Sequence, residues 1–206
     1  MKLINATFAV LILATSAGGA MAFDREPKRL GQTFADTNCS WCHGPSLQGF
    51  TTAPRLAGQK AEYIENQLLS LKSHKRDNPL ARQVMWGPAA TITPEVAREL
   101  GAYFSTLEAE AANDGRRELV DQGQNIYQTG NPAANIPSCA VCHGPDGQGA
   151  GAIPRLGGMS YTYVKRQLED WGQGYHASAA FPMPAVARQL SAGDIEAIAS
   201  YLSFVR

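Results

Sequence analysis

The 206 residues carry 18 Lys+Arg against 18 Asp+Glu, and 44% of them are hydrophobic. That composition is that of a soluble globular protein, and it excludes a low-complexity chain or one dominated by a single charge sign. It also excludes a nucleic-acid binder, which would gather a basic excess on one face, and the length allows one large domain or two small ones.

The first residues read as a secretory signal. Lys2 opens a short charged region, Ala6 to Ala17 is almost wholly apolar, and Ala20-Met21-Ala22 is a small-x-small cleavage site. The apolar run is short for a bilayer span and has no stop-transfer flank, so residues 1–22 are expected to be removed on export, with an uncleaved anchor as the alternative. Without Lys2 the balance becomes 17 basic to 18 acidic residues. The mature protein is expected in the periplasm.

Residues 30–37 read as a short helix leading into Cys39-Ser40-Trp41-Cys42-His43-Gly44-Pro45. Residues 60–72 set Tyr63, Ile64, Gln67, Leu68 and Leu71 at helical spacing. Thr93 can cap a further helix with Pro94 at its first position and Val96, Leu100, Tyr103 and Leu107 as its apolar stripe. Glu108 to Arg117, rich in Ala and charge around Asn113-Asp114-Gly115, reads as a linker. Residues 118–128 then form a helix, followed by a loop with Gly130, Pro132 and Pro137. Cys139-Ala140-Val141-Cys142-His143-Gly144-Pro145 comes next, then a helix at 160–171. Ser191 with Asp194 makes a capping-box-like start for the last helix.

The order repeats because the sequence does. At an offset of 100, Cys39, Cys42, His43, Gln48, Gly49, Pro54-Arg55-Leu56, Gly58, Tyr63, Gln67 and Leu68 all find identical partners. Two residues are then missing from the second copy, and at an offset of 98 Met85, Ala89, Tyr103 and Ser105 meet Met183, Ala187, Tyr201 and Ser203. The chain is a tandem duplication, with domains expected at 23–107 and 118–206 joined by the linker 108–117. Each copy has roughly 90 residues, a size at which an apolar core alone is marginal. A buried haem would supply the missing apolar surface.

All four cysteines fall in the two Cys-x-x-Cys-His segments, and none is left over. Exported proteins commonly form disulfides, but this spacing is that of c-type haem attachment: two thiols bond two vinyl groups and the adjacent His reaches the iron. A zinc site would need a further Cys or His at matching places in both copies, and a thioredoxin-like pair would need a βαβ setting. Neither is present in the sequence. Two covalent c-type haems are therefore expected, one on Cys39 and Cys42 with His43, one on Cys139 and Cys142 with His143.

The second axial ligand should be Met85 and Met183, which hold equivalent repeat positions. Met159 follows its His closely and pairs with Gln59, so it is expected in the core or at a haem edge. His74 and His176 fit neither offset and lie in polar or Gly-rich surroundings, so they read as surface histidines. His/Met ligation raises the reduction potential relative to bis-His and leaves no vacant site for a substrate, so one-electron transfer is the chemistry expected rather than catalysis. The flank before Met85 carries Lys72, Lys75, Arg76 and Arg82, with Lys60 nearby, whereas Gly172 to Pro182 has no formal charge. An acidic partner is expected to meet the first domain there.

Two Cys-x-x-Cys-His-Gly-Pro segments, each followed by Pro-Arg-Leu-x-Gly, a Tyr-x-x-x-Gln-Leu helix and a Met-led terminal region, resemble the cytochrome c4 family. The insertion from Gly130 to Ser138 is similar to that family's second domain. The resemblance implies an all-α fold of two class I cytochrome c domains related by approximate twofold symmetry, with haem propionates facing each other across the interface. It implies that the carbonyls of Pro54 and Pro154 accept from the His Nδ1 groups and that Arg55 and Arg155 lie near propionates. Trp41, where many relatives carry a small residue, is expected to shield one haem edge. The partners it implies are redox proteins: a respiratory complex or dehydrogenase as donor and a terminal oxidase as acceptor. The alternative is a dihaem subunit of a sulfur-compound dehydrogenase, of the flavocytochrome sulfide dehydrogenase or thiosulfate dehydrogenase type. No nucleic acid is expected, and peripheral membrane association is left open.

Overall fold

The computed structural model describes residues 27–176 and 182–206; the expected signal segment and part of the stretch before Met183 lie outside the described residues. In the first repeat, α1 (Pro27–Phe34) runs through a π-helical turn at Ala35–Cys39 into α2 (Ser40–His43). Then come α3 (Ala61–Lys72), α4 (Pro79–Val84), α5 (Trp86–Ala90) and α6 (Pro94–Ser105). The second repeat has α7 (Val120–Thr129), α8 (Ala140–His143), α9 (Tyr161–Gly172), α10 (Met183–Ala187) and α11 (Ala192–Phe204). The β content of the described residues is three isolated bridges, two of them the equivalent turns Phe50–Ala53 and Ala150–Ile153.

Both predicted caps are present. The Thr93 side chain accepts from the Val96 N–H, and Ser191 and Asp194 satisfy each other reciprocally as a capping box. The short helices around each Met lie where the sequence shows no sustained period, because Pro79, Pro88, Pro182 and Pro184 confine each to a turn or so.

Each repeat is closed by its first and last helices crossing: α1 on α6, and α7 on α11. The crossing depends on one glycine per copy. Gly31 lies against the Glu99 backbone and Tyr103, and Gly123 against the Ala197 backbone and Tyr201. Leu100 and Phe104 anchor the first core, and Tyr127, Ile198 and Leu202 the second. The two offsets of the sequence repeat recur in the backbone: Gly58 N–H donates to Phe104 C=O (2.8 Å) and Gly158 N–H to Leu202 C=O (2.7 Å).

The segment between the repeats has no regular secondary structure over residues 108–116 and is stitched to both. Gln48 exchanges hydrogen bonds with the Glu108 carbonyl (2.9 Å) and the Glu110 N–H (3.1 Å). Asn113 N–H donates to Ser203 C=O, and the Gly115 and Arg116 N–H groups to the Ser203 and Ser200 hydroxyls. Asp114 accepts from the Tyr161 N–H and the Ser160 hydroxyl, both at 2.8 Å, and so caps α9 from outside its own segment. Asp114→Ala should cost about 1 kcal/mol, the usual value of a lost N-cap, and Asp114→Asn less. Thermal unfolding of the holoprotein checks the order; equal stability of all three would mean the cap contributes nothing.

Candidate haem sites

The turn that presents each Cys-x-x-Cys-His segment is the same in both repeats. His43 C=O accepts from Gly49 N–H (2.9 Å) and His143 C=O from Gly149 N–H (2.8 Å). Gly44 and Gly144, at φ 80° and 83°, reverse the chain immediately after each His, a conformation strained for other residues. The loop then doubles back, so that Pro54 and Pro154 come to lie over the two imidazoles.

His43 Nδ1 is 2.7 Å from the Pro54 carbonyl, and His143 Nδ1 is 3.1 Å from the Pro154 carbonyl. A carbonyl can only accept, so each Nδ1 carries the proton and each Nε2 keeps its lone pair free. Both rings are buried. Burial lowers their pKa values below the ordinary imidazole range; the carbonyl bonds work the other way, and for His43 the Arg76 cation lowers it further. Neutral imidazoles with Nε2 available are what metal ligation requires. Burial likewise pushes the Cys39 and Cys139 thiols up to about 11. A redox-exchange cysteine needs a depressed pKa, and Cys39 and Cys139 have the opposite.

In the second repeat Cys139, Cys142, His143, Met159 and Met183 line one mainly apolar cleft. Met183 starts α10 and packs on the core; Met159 is buried in that core, beside the cleft. In the first repeat Met85 lies between α4 and α5, packed with Trp86 against Leu71, Ala81 and Ala89. Part of the cleft lining is polar. It includes Tyr63, Gln67, Tyr163, Gln167 and His176, and buried Gln167 Nε2, Trp171 Nε1 and both His176 ring nitrogens have no protein partner there. Thiols and imidazole together, an apolar body and a wall of unspent polar groups fit a haem, which is a flat apolar ring with two carboxylates.

Two expectations change, while that of His74 as a surface residue holds. His176 is not a surface residue: it is 3% exposed, and burial together with the Arg76 cation takes its pKa down to about 4 despite Asp77. His74 is exposed and stacked on Trp86 at 3.9 Å; its backbone counterpart is Gly174, since both donate to the residue three before at the end of a helix. The basic flank before Met85 is also not one free patch, although Lys72, Lys75 and Arg82 stay exposed. Lys72 Nζ donates to Ile92 C=O (2.6 Å), Arg82 lies over the Trp86 ring, and Arg76 points into the domain interface rather than to a partner.

That interface is made by residues 76–78 gripping the second repeat. Arg76 donates to Tyr163 OH (3.1 Å) and Gln167 Oε1 (3.2 Å), Asp77 accepts from the His176 N–H (2.6 Å), and Asn78 donates to Asp170 (3.0 Å). Gln59 pairs through its amide with the Arg155 backbone, accepting at 2.7 Å and donating at 3.0 Å. Arg55, only 3% exposed, donates to the Glu110 and Gly157 carbonyls, and Arg155 Nε donates to Gly157 C=O (3.3 Å). Burial and the neighbouring Arg155 bring the Arg55 pKa down to about 10, still charged at neutral pH. Trp41 and Val141, the equivalent residues inside the two Cys pairs, are 83% and 82% exposed, and Trp41 donates to Thr37 C=O.

Two helical repeats, each offering a Cys pair with an adjacent buried His, define tandem cytochrome c domains. The family profile described as Cytochrome c matches residues 29–108 and 120–205. Cytochrome c4 of Azotobacter vinelandii is 33% identical over 95% of this chain and 93% of its own length. The thiosulfate dehydrogenase electron acceptor of Stutzerimonas stutzeri is 37% identical over 81% of this chain and 78% of its own. The cytochrome c4 structure from Acidithiobacillus ferrooxidans superposes with a TM-score of 0.74 at 31% identity, covering 81% of this chain and 98% of that one. The chain belongs to the cytochrome c4 family, carries two covalent c-type haems on Cys39/Cys42 and Cys139/Cys142, and transfers electrons.

Proposed function

We propose that the protein is a periplasmic carrier that moves single electrons from a respiratory complex or dehydrogenase to a terminal oxidase. His43 with Met85, and His143 with Met183, would hold the two haem irons. The observation that carries this reading is the committed Nδ1 of each His, combined with a Met at the same repeat position in each copy. Iron held this way supplies one-electron chemistry. The chain's part is to keep each imidazole neutral and oriented, exclude water with an apolar wall, and change little on electron uptake. Iron held by two side chains would offer no place to a substrate, so no reaction of its own is assigned to the protein. No helix among the described residues is long and apolar enough to cross a membrane. Docking at the membrane face of a donor or oxidase would then be peripheral.

Pyridine haemochrome assay with intact mass should give two haems per chain beginning at Phe23, resistant to acid acetone. One haem per chain would remove the dihaem carrier. Rapid mixing of the reduced protein with oxidase-containing membranes should oxidise both haems within the oxidase's own turnover time. A second reading is favoured by the 37% identity to the thiosulfate dehydrogenase electron acceptor: a dedicated acceptor for a sulfur-compound dehydrogenase. Co-purification with such a dehydrogenase, and reduction by thiosulfate only in its presence, would select it.

A further inference from the structure

The wall between the repeats is nearly twofold in its residues but not in its charge. Tyr63 and Gln67 on α3 are matched by Tyr163 and Gln167 on α9. Between them lies one arginine. Arg76 Nη1 donates to Gln67 Oε1 (2.9 Å), and Nη2 to Tyr163 OH (3.1 Å) and Gln167 Oε1 (3.2 Å). At the repeat offset of 100 its counterpart is His176, which burial and Arg76 itself keep neutral. Burial works against the Arg76 charge too, but Tyr163, Tyr63 and Asp170 more than offset it.

An amide whose oxygen accepts from a guanidinium must turn its NH2 group elsewhere. Gln167 Nε2 is buried with no protein partner, and so are Arg76 Nε and Trp171 Nε1. An unpaired buried donor is costly, so three together call for an acceptor. Gln67, Gln167 and Trp171 line the cleft that contains Cys139, Cys142 and His143. The only anionic groups of the haem attached there are its propionates.

We infer that Arg76 is a positioning residue: it turns the Gln167 amide so that its N–H group meets a haem propionate, and it supplies a fixed positive charge shared by both haem sites. This rests on the carrier reading. A cation in a low-dielectric interface favours the ferrous state of any nearby haem, since reduction removes one positive charge. The Arg76 carbonyl also accepts from Trp86 Nε1 (2.9 Å), beside Met85, so the same residue touches the surroundings of both proposed ligand sets.

Spectroelectrochemical titration of purified holoprotein tests the inference, with haem content and helical circular dichroism measured on each variant. Arg76→Met should lower both midpoint potentials. Arg76→Lys, which keeps the charge but lacks the planar fork that bridges the two glutamines, should lower them less. Gln167→Leu, which leaves the charge in place, should lower chiefly the haem of the second repeat, and it reads the amide arm even if Arg76→Met fails to fold. Arg98→Met, an exposed cation lost, should leave both unchanged. Two unshifted potentials in Arg76→Met, or a shift confined to one haem, overturn the shared charge; an unshifted Gln167→Leu overturns the amide orientation. Failure of the His/Met reading is seen separately, as a missing thioether–ferric charge-transfer band in the unsubstituted protein.

Discussion

Met183→His should leave two haems covalently attached and lower the potential of one by a sizeable part of the ~0.8 V range that axial ligands span. A thioether stabilises ferrous iron more than a second imidazole does, so the direction is fixed by ligand chemistry. The near-infrared band from thioether bonding to ferric iron should fall by about half, since on the proposed ligation one of two equivalent centres is altered. Met85→His should do the same to the other haem, and the double variant should lose the band entirely. The decisive control is His176→Ala. His176 lines the same cleft as Met183, is buried and has both ring nitrogens unpartnered, so it is the rival that geometry leaves standing. If its removal, and not that of Met183, abolished half the band, the ligand assignment would be wrong. His74, exposed and stacked on Trp86, is the weaker rival.

The contrast between the two histidines shows what a single sequence can reveal. Features local along the chain were legible: the Cys-x-x-Cys-His turns, the caps at Thr93 and Ser191, the tandem repeat and the family it resembles. Their physics is contained within a few residues, or repeated a hundred residues on. The burial of His176 and the inward turn of Arg76 were not legible. Both depend on how one repeat docks on the other, through contacts between residues some 90 positions apart such as Arg76 with Tyr163 and Asn78 with Asp170. Periodicity reports which face of a helix meets its own core, and says nothing of a polar loop that becomes an interface. Charge counting failed for the same reason. Lys72, Arg76 and Arg82 look like one basic flank in sequence, yet they point to a carbonyl, a domain interface and an indole ring. Of that flank only Arg76 is withdrawn from an acidic partner; Lys72, Lys75 and Arg82 remain exposed.

Gly123→Ala should destabilise the second repeat, although intrinsic helix propensity predicts the opposite. In the interior of α7, alanine is favoured over glycine by about 1 kcal/mol. A Cβ at position 123 would, however, stand 2.0 Å from the Ala197 carbonyl oxygen and 2.7 Å from Tyr201 Cβ, far inside contact distance. The obstacle is backbone of α11, which cannot rotate away as a side chain can, so the two helices must separate. Overpacking of this kind costs typically 1–3 kcal/mol, and here the separation would also disturb Tyr127 and Tyr201, whose rings lie 5.4 Å apart. At about 4–8 °C per kcal/mol for a domain of this size, a net loss of about 1–2 kcal/mol should lower the melting temperature by several degrees. Gly31→Ala should act alike in the first repeat, where the added carbon would meet Glu99 C=O at 2.4 Å. Gly172→Ala is the matched control: it also lies in a helix, is exposed, and its Cβ would find only the Ala187 carbonyl at an ordinary 3.8 Å. Thermal unfolding of the three holoproteins should therefore give a drop, a drop and no loss. A gain in stability for Gly123→Ala would show that the terminal helices of this fold cross less closely than the positions of Gly31 and Gly123 require.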